Sequence, residues 1–191
     1  MNHIYYVTGN SNKFETVARY LERCAPEIQL IPAPGYDLRE IQTIDQRVVA
    51  IDKARQAWEL VKKPILVDDD GIYFDKYRDF PGVFTKYVYE GLGIDGLYQL
   101  VEQGDAATCK VQMVYWYGDE QYEVFEGVCC GTINAKPSYT ADPGDPMFIP
   151  AGSTQSCAEL YASGEWEPYD YRIDALKKFL VWHKARANAF K

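Results

Sequence analysis

Cys109-Lys-Val-Gln-Met-Val-Tyr-Trp-Tyr117 and Gln121-Tyr-Glu-Val-Phe-Glu-Gly-Val-Cys-Cys130 flank the triplet Gly118-Asp-Glu120. Two long runs rich in β-branched and aromatic residues around a turn triplet predict a β-hairpin, and a hairpin makes its strands antiparallel. The N-terminal third reads differently. Short apolar runs at residues 3–7, 28–32 and 65–67 predict buried strands, and helical spacing predicts helices between them. The first helix is expected over about residues 13–23, with Phe14, Val17, Ala18 and Leu21 on one face. Thr43 and Gln46 have capping-box spacing, so the second is expected to begin near Ile44. Its buried side is read as Ile44, Val48, Ile51, Trp58 and Val61, and it ends before Pro64. A helix is expected over residues 94–102, and a last one near Asp170 with Ile173, Leu176, Phe179 and Leu180 facing the core. Residues 136–145 are rich in Pro, Gly and polar side chains and read as a loop. Strand–helix alternation beside a long hairpin predicts an α/β fold with a mixed sheet.

The chain has 191 residues, which suits one domain spanning residues 1–191. It carries 20 basic and 28 acidic residues, a net charge of -8. That balance disfavours a nucleic-acid polymer or an anionic membrane, but not a small nucleotide held by a few gathered cations. No apolar run approaches the roughly 20 residues of a membrane span, and the first residues lack the pattern of a signal peptide. A cytoplasmic protein is expected. The five cysteines show no C-x-x-C spacing and read as reduced thiols. With only His3 and His183 present, any metal is expected to be a hard ion held by oxygen.

Three clusters carry chemistry. Thr8-Gly-Asn-Ser-Asn-Lys13 joins a strand to a helix, where backbone N–H groups favour an anion. Gly9 permits close approach, Thr8, Asn10 and Ser11 offer hydrogen bonds, and Lys13 offers charge. By itself this stretch fits a capped polar loop as well as a phosphate cradle, and it is not G-x-x-x-x-G-K-S/T. Glu40 precedes the second helix and Lys53 lies within it. Asp68, Asp69 and Asp70 follow an apolar strand, where their mutual repulsion calls for a cation. Together these groups suit attack of water on a phosphoryl group.

In order and spacing, these segments resemble the inosine triphosphate pyrophosphatase family. Thr8 to Lys13 is similar to its T-x-N-x-x-K opening, Asp37-Leu-Arg-Glu-Ile-Gln42 to its L-x-E-I-Q segment, and Asp68-Asp-Asp-Gly-Ile72 to its acidic D-S/T-G-L motif. Phe80-Pro-Gly-Val-Phe84 resembles its P-G-x-Y/F-S stretch, and Phe125-Glu-Gly127 and Ala158-Glu-Leu160 fall in register. The resemblance implies an elongated mixed sheet flanked by helices, two lobes around a central cleft, and a homodimer. It implies cleavage of a nucleoside triphosphate to monophosphate and pyrophosphate, with deaminated purines (ITP, dITP, XTP) as substrates. Magnesium is the implied cofactor, with manganese as a substitute.

Carried over by residue, Thr8, Gly9, Asn10, Ser11, Asn12, Lys13, Lys53 and Asp70 would meet the phosphates. Glu40, Asp68 and Asp69 would hold the metal, Asp69 would be the general base, and Lys13 would assist catalysis. Asp145, Phe148, Tyr171 and Arg172 would meet the base. The base half departs from the family. Asp142-Pro-Gly-Asp-Pro-Met-Phe148 stands where the family has F-G-Y/W-D-P-x-F, and Asp170-Tyr-Arg172 where it has S-H-R. No lysine lies between Glu159 and Arg172, and Asp70 replaces the usual Ser or Thr. Tyr139, Trp166, Tyr169 and Tyr171 are candidates for a replacement stacking face. Two other readings follow from these departures. One is a nucleotide-binding protein with little turnover, the other a pyrophosphatase for pyrimidine or modified nucleotides.

Overall fold

A computed structural model describes residues 2–136 and 147–189. Six strands, β1 (Asn2–Val7), β2 (Ile28–Ala33), β3 (Ile65–Phe74), β4 (Ala106–Gly118), β5 (Gln121–Ile133) and β6 (Phe148–Pro150), form one sheet in the order β2-β1-β3-β4-β5-β6. β1 runs parallel to β2 and β3, whereas β5 and β6 are antiparallel. The sheet is therefore mixed, and β4 and β5 form the expected hairpin. Among the described residues five α-helices accompany it: α1 (Ser11–Cys24), α2 (Gln46–Val61), α3 (Thr85–Leu100), α4 (Cys157–Ser163) and α5 (Tyr171–Ala189). Among the described residues no helix is long and apolar enough to cross a membrane.

The chain divides into two compact units, Met1–Asp69 with Val111–Gly127 and Arg172–Lys191, and Asp70–Lys110 with Val128–Tyr171. In the first, α2 seats Ala50, Ala54, Ala57 and Trp58 among Val7, Val67, Val114 and Trp116. Of the side expected from sequence, Trp58 is buried and Ile51 and Val61 pack against this cluster, whereas Ile44 and Val48 do not. Val48 is 43% exposed, because the alanines permit close approach of helix to sheet and turn it outward, and Ile44, 50% exposed, precedes the helix. The capping box is also corrected. Asp45 is the N-cap, with its side chain accepting from the Val48 N–H, and Thr43 instead accepts from the Asp45 N–H. α5 buries Ile173, Leu176, Phe179 and Leu180 as expected.

In the second unit, Ile72, Phe74, Leu97, Met147, Phe148, Leu160 and Trp166 share one core. The single helix expected over residues 94–102 begins earlier, at Thr85, and breaks at Gly93, whose φ of 64° favours glycine. β6 and α4 are too short for periodicity to reveal, and sequence reading missed both. α4 starts with a capping box. The Ser156 N–H and hydroxyl each donate to Glu159 Oε2 at 2.7 Å, and the Glu159 N–H donates to Ser156 Oγ at 3.3 Å. The backbone bond, then the hydroxyl bond, holds the Glu159 carboxyl below its usual pKa. A lowered carboxylate pKa stabilises the fold above the usual glutamate range and is lost as pH falls through the lowered value. Ser156→Ala is expected to cost about 1 kcal/mol at neutral pH, measured by urea unfolding.

Candidate active site

Side chains alternate along a strand, so Asp68 and Asp69 leave β3 on opposite faces. Their partners follow that alternation. Asp69, 8% exposed, meets Lys53 of α2, with Lys53 Nζ donating to Oδ1 at 3.0 Å. The same ammonium donates to Glu40 Oε1 at 3.1 Å. One lysine therefore joins a carboxylate of β3 to one in the loop before α2. Burial opposes the Lys53 charge, but the Asp69 and Glu40 carboxylates outweigh it and raise its pKa above the usual lysine value. Gln46, seven residues before Lys53 and so on the same helix face, donates from Nε2 to the Asp69 carbonyl at 3.1 Å. Sequence reading missed Gln46, although this spacing could have found it.

Asp68 lies with α1 and α5. Its Oδ2 accepts from Arg172 Nε at 2.6 Å, and both side chains are buried. Its Oδ1 is 3.4 Å from Lys13 Nζ, a longer contact to a more exposed lysine. Arg172, expected at the base, makes this ion pair with Asp68. The first unit thus gathers Glu40, Asp68 and Asp69 with Lys13, Lys53 and Arg172, three charges of each sign.

The loop between β1 and α1 is built around Asn10. Its Oδ1 caps the helix, accepting from the N–H groups of Asn12 at 2.9 Å and Lys13 at 3.3 Å. Thr8 Oγ1 accepts from the Asn10 N–H at 3.2 Å. Two N–H groups expected to face phosphate are thus bonded to the cap. Ser11 opens the helix and Gly9 packs closely on Gly35, where a Cβ would lie 2.5 Å from Gly9 N.

Of the other expected residues, Asp145 and Tyr139 lie outside the described residues. Phe148 is fully buried in the core of the second unit, which leaves no ring face for stacking. Tyr171 donates its hydroxyl to Asp70 Oδ2 at 3.1 Å. Trp166 is buried, with its ring stacked on Tyr161 at 5.2 Å.

Among the described residues no three His, Cys, Asp or Glu side chains form a ready-made metal cluster. Magnesium is commonly held by one or two carboxylates and the substrate's own phosphates, which needs no such cage. The donor set fits that mode. Glu40 and Asp69 offer hard oxygens that already share one cation, the Lys53 ammonium.

The sequence profile of the Ham1 family matches residues 4–182. The chain belongs to the Ham1 family. Ham1 relatives include a dITP/XTP pyrophosphatase of Thermococcus kodakarensis, 31% identical over 94% of this chain and 96% of its own length. An inosine triphosphate pyrophosphatase of Yarrowia lipolytica is 30% identical over 98% of this chain and 99% of its own. The Ham1 fold is shared with the Staphylococcus aureus Ham1 protein, at a TM-score of 0.77 and 20% identity over 97% of this chain and 100% of that one. A HAM1 protein of Coxiella burnetii gives 0.75 at 23% identity, with the same coverage of both chains.

Proposed function

We propose that the chain is a divalent-metal-dependent nucleoside triphosphate pyrophosphatase acting on non-canonical purine nucleotides, with residues 1–191 serving as one catalytic domain. The observation that carries the reading is Lys53 held between Glu40 and Asp69. Two carboxylates on one cation form a site where phosphate charge and a metal can be exchanged. The names of the relatives at 30–31% identity support the substrate class.

These six side chains carry three charges of each sign, so the negative charge of a triphosphate calls for a further cation. Glu40 and Asp69, supported by Asp68, would hold magnesium or manganese. Bound there, the metal would supply the positive charge that offsets the phosphate oxygens. Lys53 and Lys13 would meet the negative charge of the phosphates. Arg172 stays on Asp68 and fixes its orientation. Asp69 accepts a proton from water, whose oxygen bonds to the α-phosphorus. The bond from that phosphorus to the bridging oxygen breaks, and pyrophosphate leaves with the electron pair. The nucleoside monophosphate remains.

The test is pyrophosphate release with magnesium across ITP, dITP, XTP, the canonical nucleotides and modified pyrimidine triphosphates. Release that is strongest from ITP and XTP supports the proposal. Strong release from a pyrimidine alone means re-aimed specificity, and silence with retained nucleotide binding means a binding protein. The proposal includes a cytoplasmic homodimer, and a monomeric mass by light scattering would contradict that part.

A further inference from the structure

β3 is ten residues long, and its ladder with β1 is made at its start, Tyr5 opposite Ile65 and Tyr6 opposite Leu66. Asp68, Asp69 and Asp70 lie past that pairing. Adjacent carboxylates repel one another, so the backbone that carries them needs a hold of another kind. Two side chains supply it. At one end the buried Gln46 of α2 donates from Nε2 to the Asp69 carbonyl at 3.1 Å. At the other end Thr85, the first residue of α3, accepts from the Ile72 N–H through Oγ1 at 3.1 Å. The same hydroxyl donates to the Gly82 carbonyl at 2.6 Å. Thr85 thereby ties β3 to residues 80–82, where the Phe80 carbonyl accepts from the Phe74 N–H at 2.9 Å and Pro81 bridges Tyr73.

Gly71 sits inside this junction, because a Cβ there would overlap the Gly82 carbonyl. A glycine next to Asp70 also gives that stretch of backbone more freedom than any other residue would. The segment from Asp69 to Ile72 is therefore intrinsically loose, yet it is bonded at both ends by side chains. Neither bond alters the charge of the site, since both are made to backbone atoms. What they set is where the Asp69 carboxylate stands. A general base acts only within hydrogen-bond reach of its proton, and a misplacement of about 1 Å can cost 10²-fold in rate.

We infer that Gln46 and Thr85 are positioning residues for the reaction, which hold the backbone from Asp69 to Ile72 so that Asp69 meets the attacking water. The inference rests on the proposed function for the role of Asp69. Thr85→Val keeps the branched shape and removes the hydroxyl. With ITP and saturating magnesium it is expected to lower kcat about tenfold and to leave KM within about twofold, the signature of a loss confined to the transition state. Thr85→Ser keeps the hydroxyl and is expected to restore kcat to within about threefold of wild type. Gln46→Met is expected to lower kcat several-fold at unchanged KM, with circular dichroism confirming the fold of each variant. Amide hydrogen exchange read by NMR reports the hold without turnover. The Ile72 amide is expected to exchange about tenfold faster in Thr85→Val than in wild type or Thr85→Ser. Wild-type kcat in Thr85→Val, a loss carried by KM, or a Thr85→Ser as slow as Thr85→Val each overturns the inference, as does unchanged exchange at Ile72. A wild type that hydrolyses no triphosphate, with exchange at Ile72 still set by the hydroxyl, keeps the hold on β3 and sinks the pyrophosphatase reading instead.

Discussion

Asp69→Asn lowers kcat for triphosphate hydrolysis by about 10²–10⁴-fold, the usual worth of a positioned general base, and leaves the protein folded. The amide keeps the shape of the carboxylate but cannot take a proton from water. It also removes the negative charge that faces Lys53 at 3.0 Å. Lys53 keeps Glu40 at 3.1 Å, so the lysine is not stranded. The Gln46 bond to residue 69 is made to the backbone carbonyl and survives the change. Both side chains of the ion pair retain some solvent access, 18% for Lys53 and 11% for Asp69, so the stability cost is smaller than that of a fully buried pair. Turnover and circular dichroism of the same preparation check both halves. A variant that works at the wild-type rate removes Asp69 from the chemistry.

Arg172→Met destabilises the fold by about 3 kcal/mol, the low end of the cost of breaking a buried ion pair. Arg172 and Asp68 are 7% and 2% exposed at the side chain and meet at 2.6 Å. Methionine fills much of the space but leaves the carboxylate without its nearest cation. Lys13, at 3.4 Å, compensates only in part, and in doing so is drawn away from substrate. Asp68→Asn with Arg172→Met is expected to cost less than the two single changes added together, because the amide removes the uncompensated charge. Urea unfolding of the four proteins gives the coupling. Additive effects, or a cost below about 0.5 kcal/mol for Arg172→Met, would show that the pair does not hold Asp68.

The parts legible in the sequence have strong local signals. Residues 109–130 announce a hairpin through strand composition and turn, and β1, β2 and β3 through short apolar runs between helices. Asp68 to Asp70 stood out because three adjacent carboxylates need offsetting charge. The sequence did not disclose which cation each carboxylate finds, since Lys53 reaches β3 from the helix before it and Arg172 from the last helix of the chain. Part of the face of α2 differs from the sequence reading for a related reason: Trp58, Ile51 and Val61 face the core, Ile44 and Val48 do not. Hydrophobicity favours Ile44 and Val48, but the sheet selects the small alanines that permit close packing. The motif match at Arg172 does not disclose its ion pair with Asp68, which depends on tertiary contacts that no local pattern carries.

The most direct test of the central claim is the product of ITP hydrolysis with magnesium, resolved by phosphorus NMR. Inosine monophosphate and pyrophosphate are expected in equal amounts, from wild type and not from Asp69→Asn. Inosine diphosphate with orthophosphate would place the attack on the terminal phosphate and contradict it.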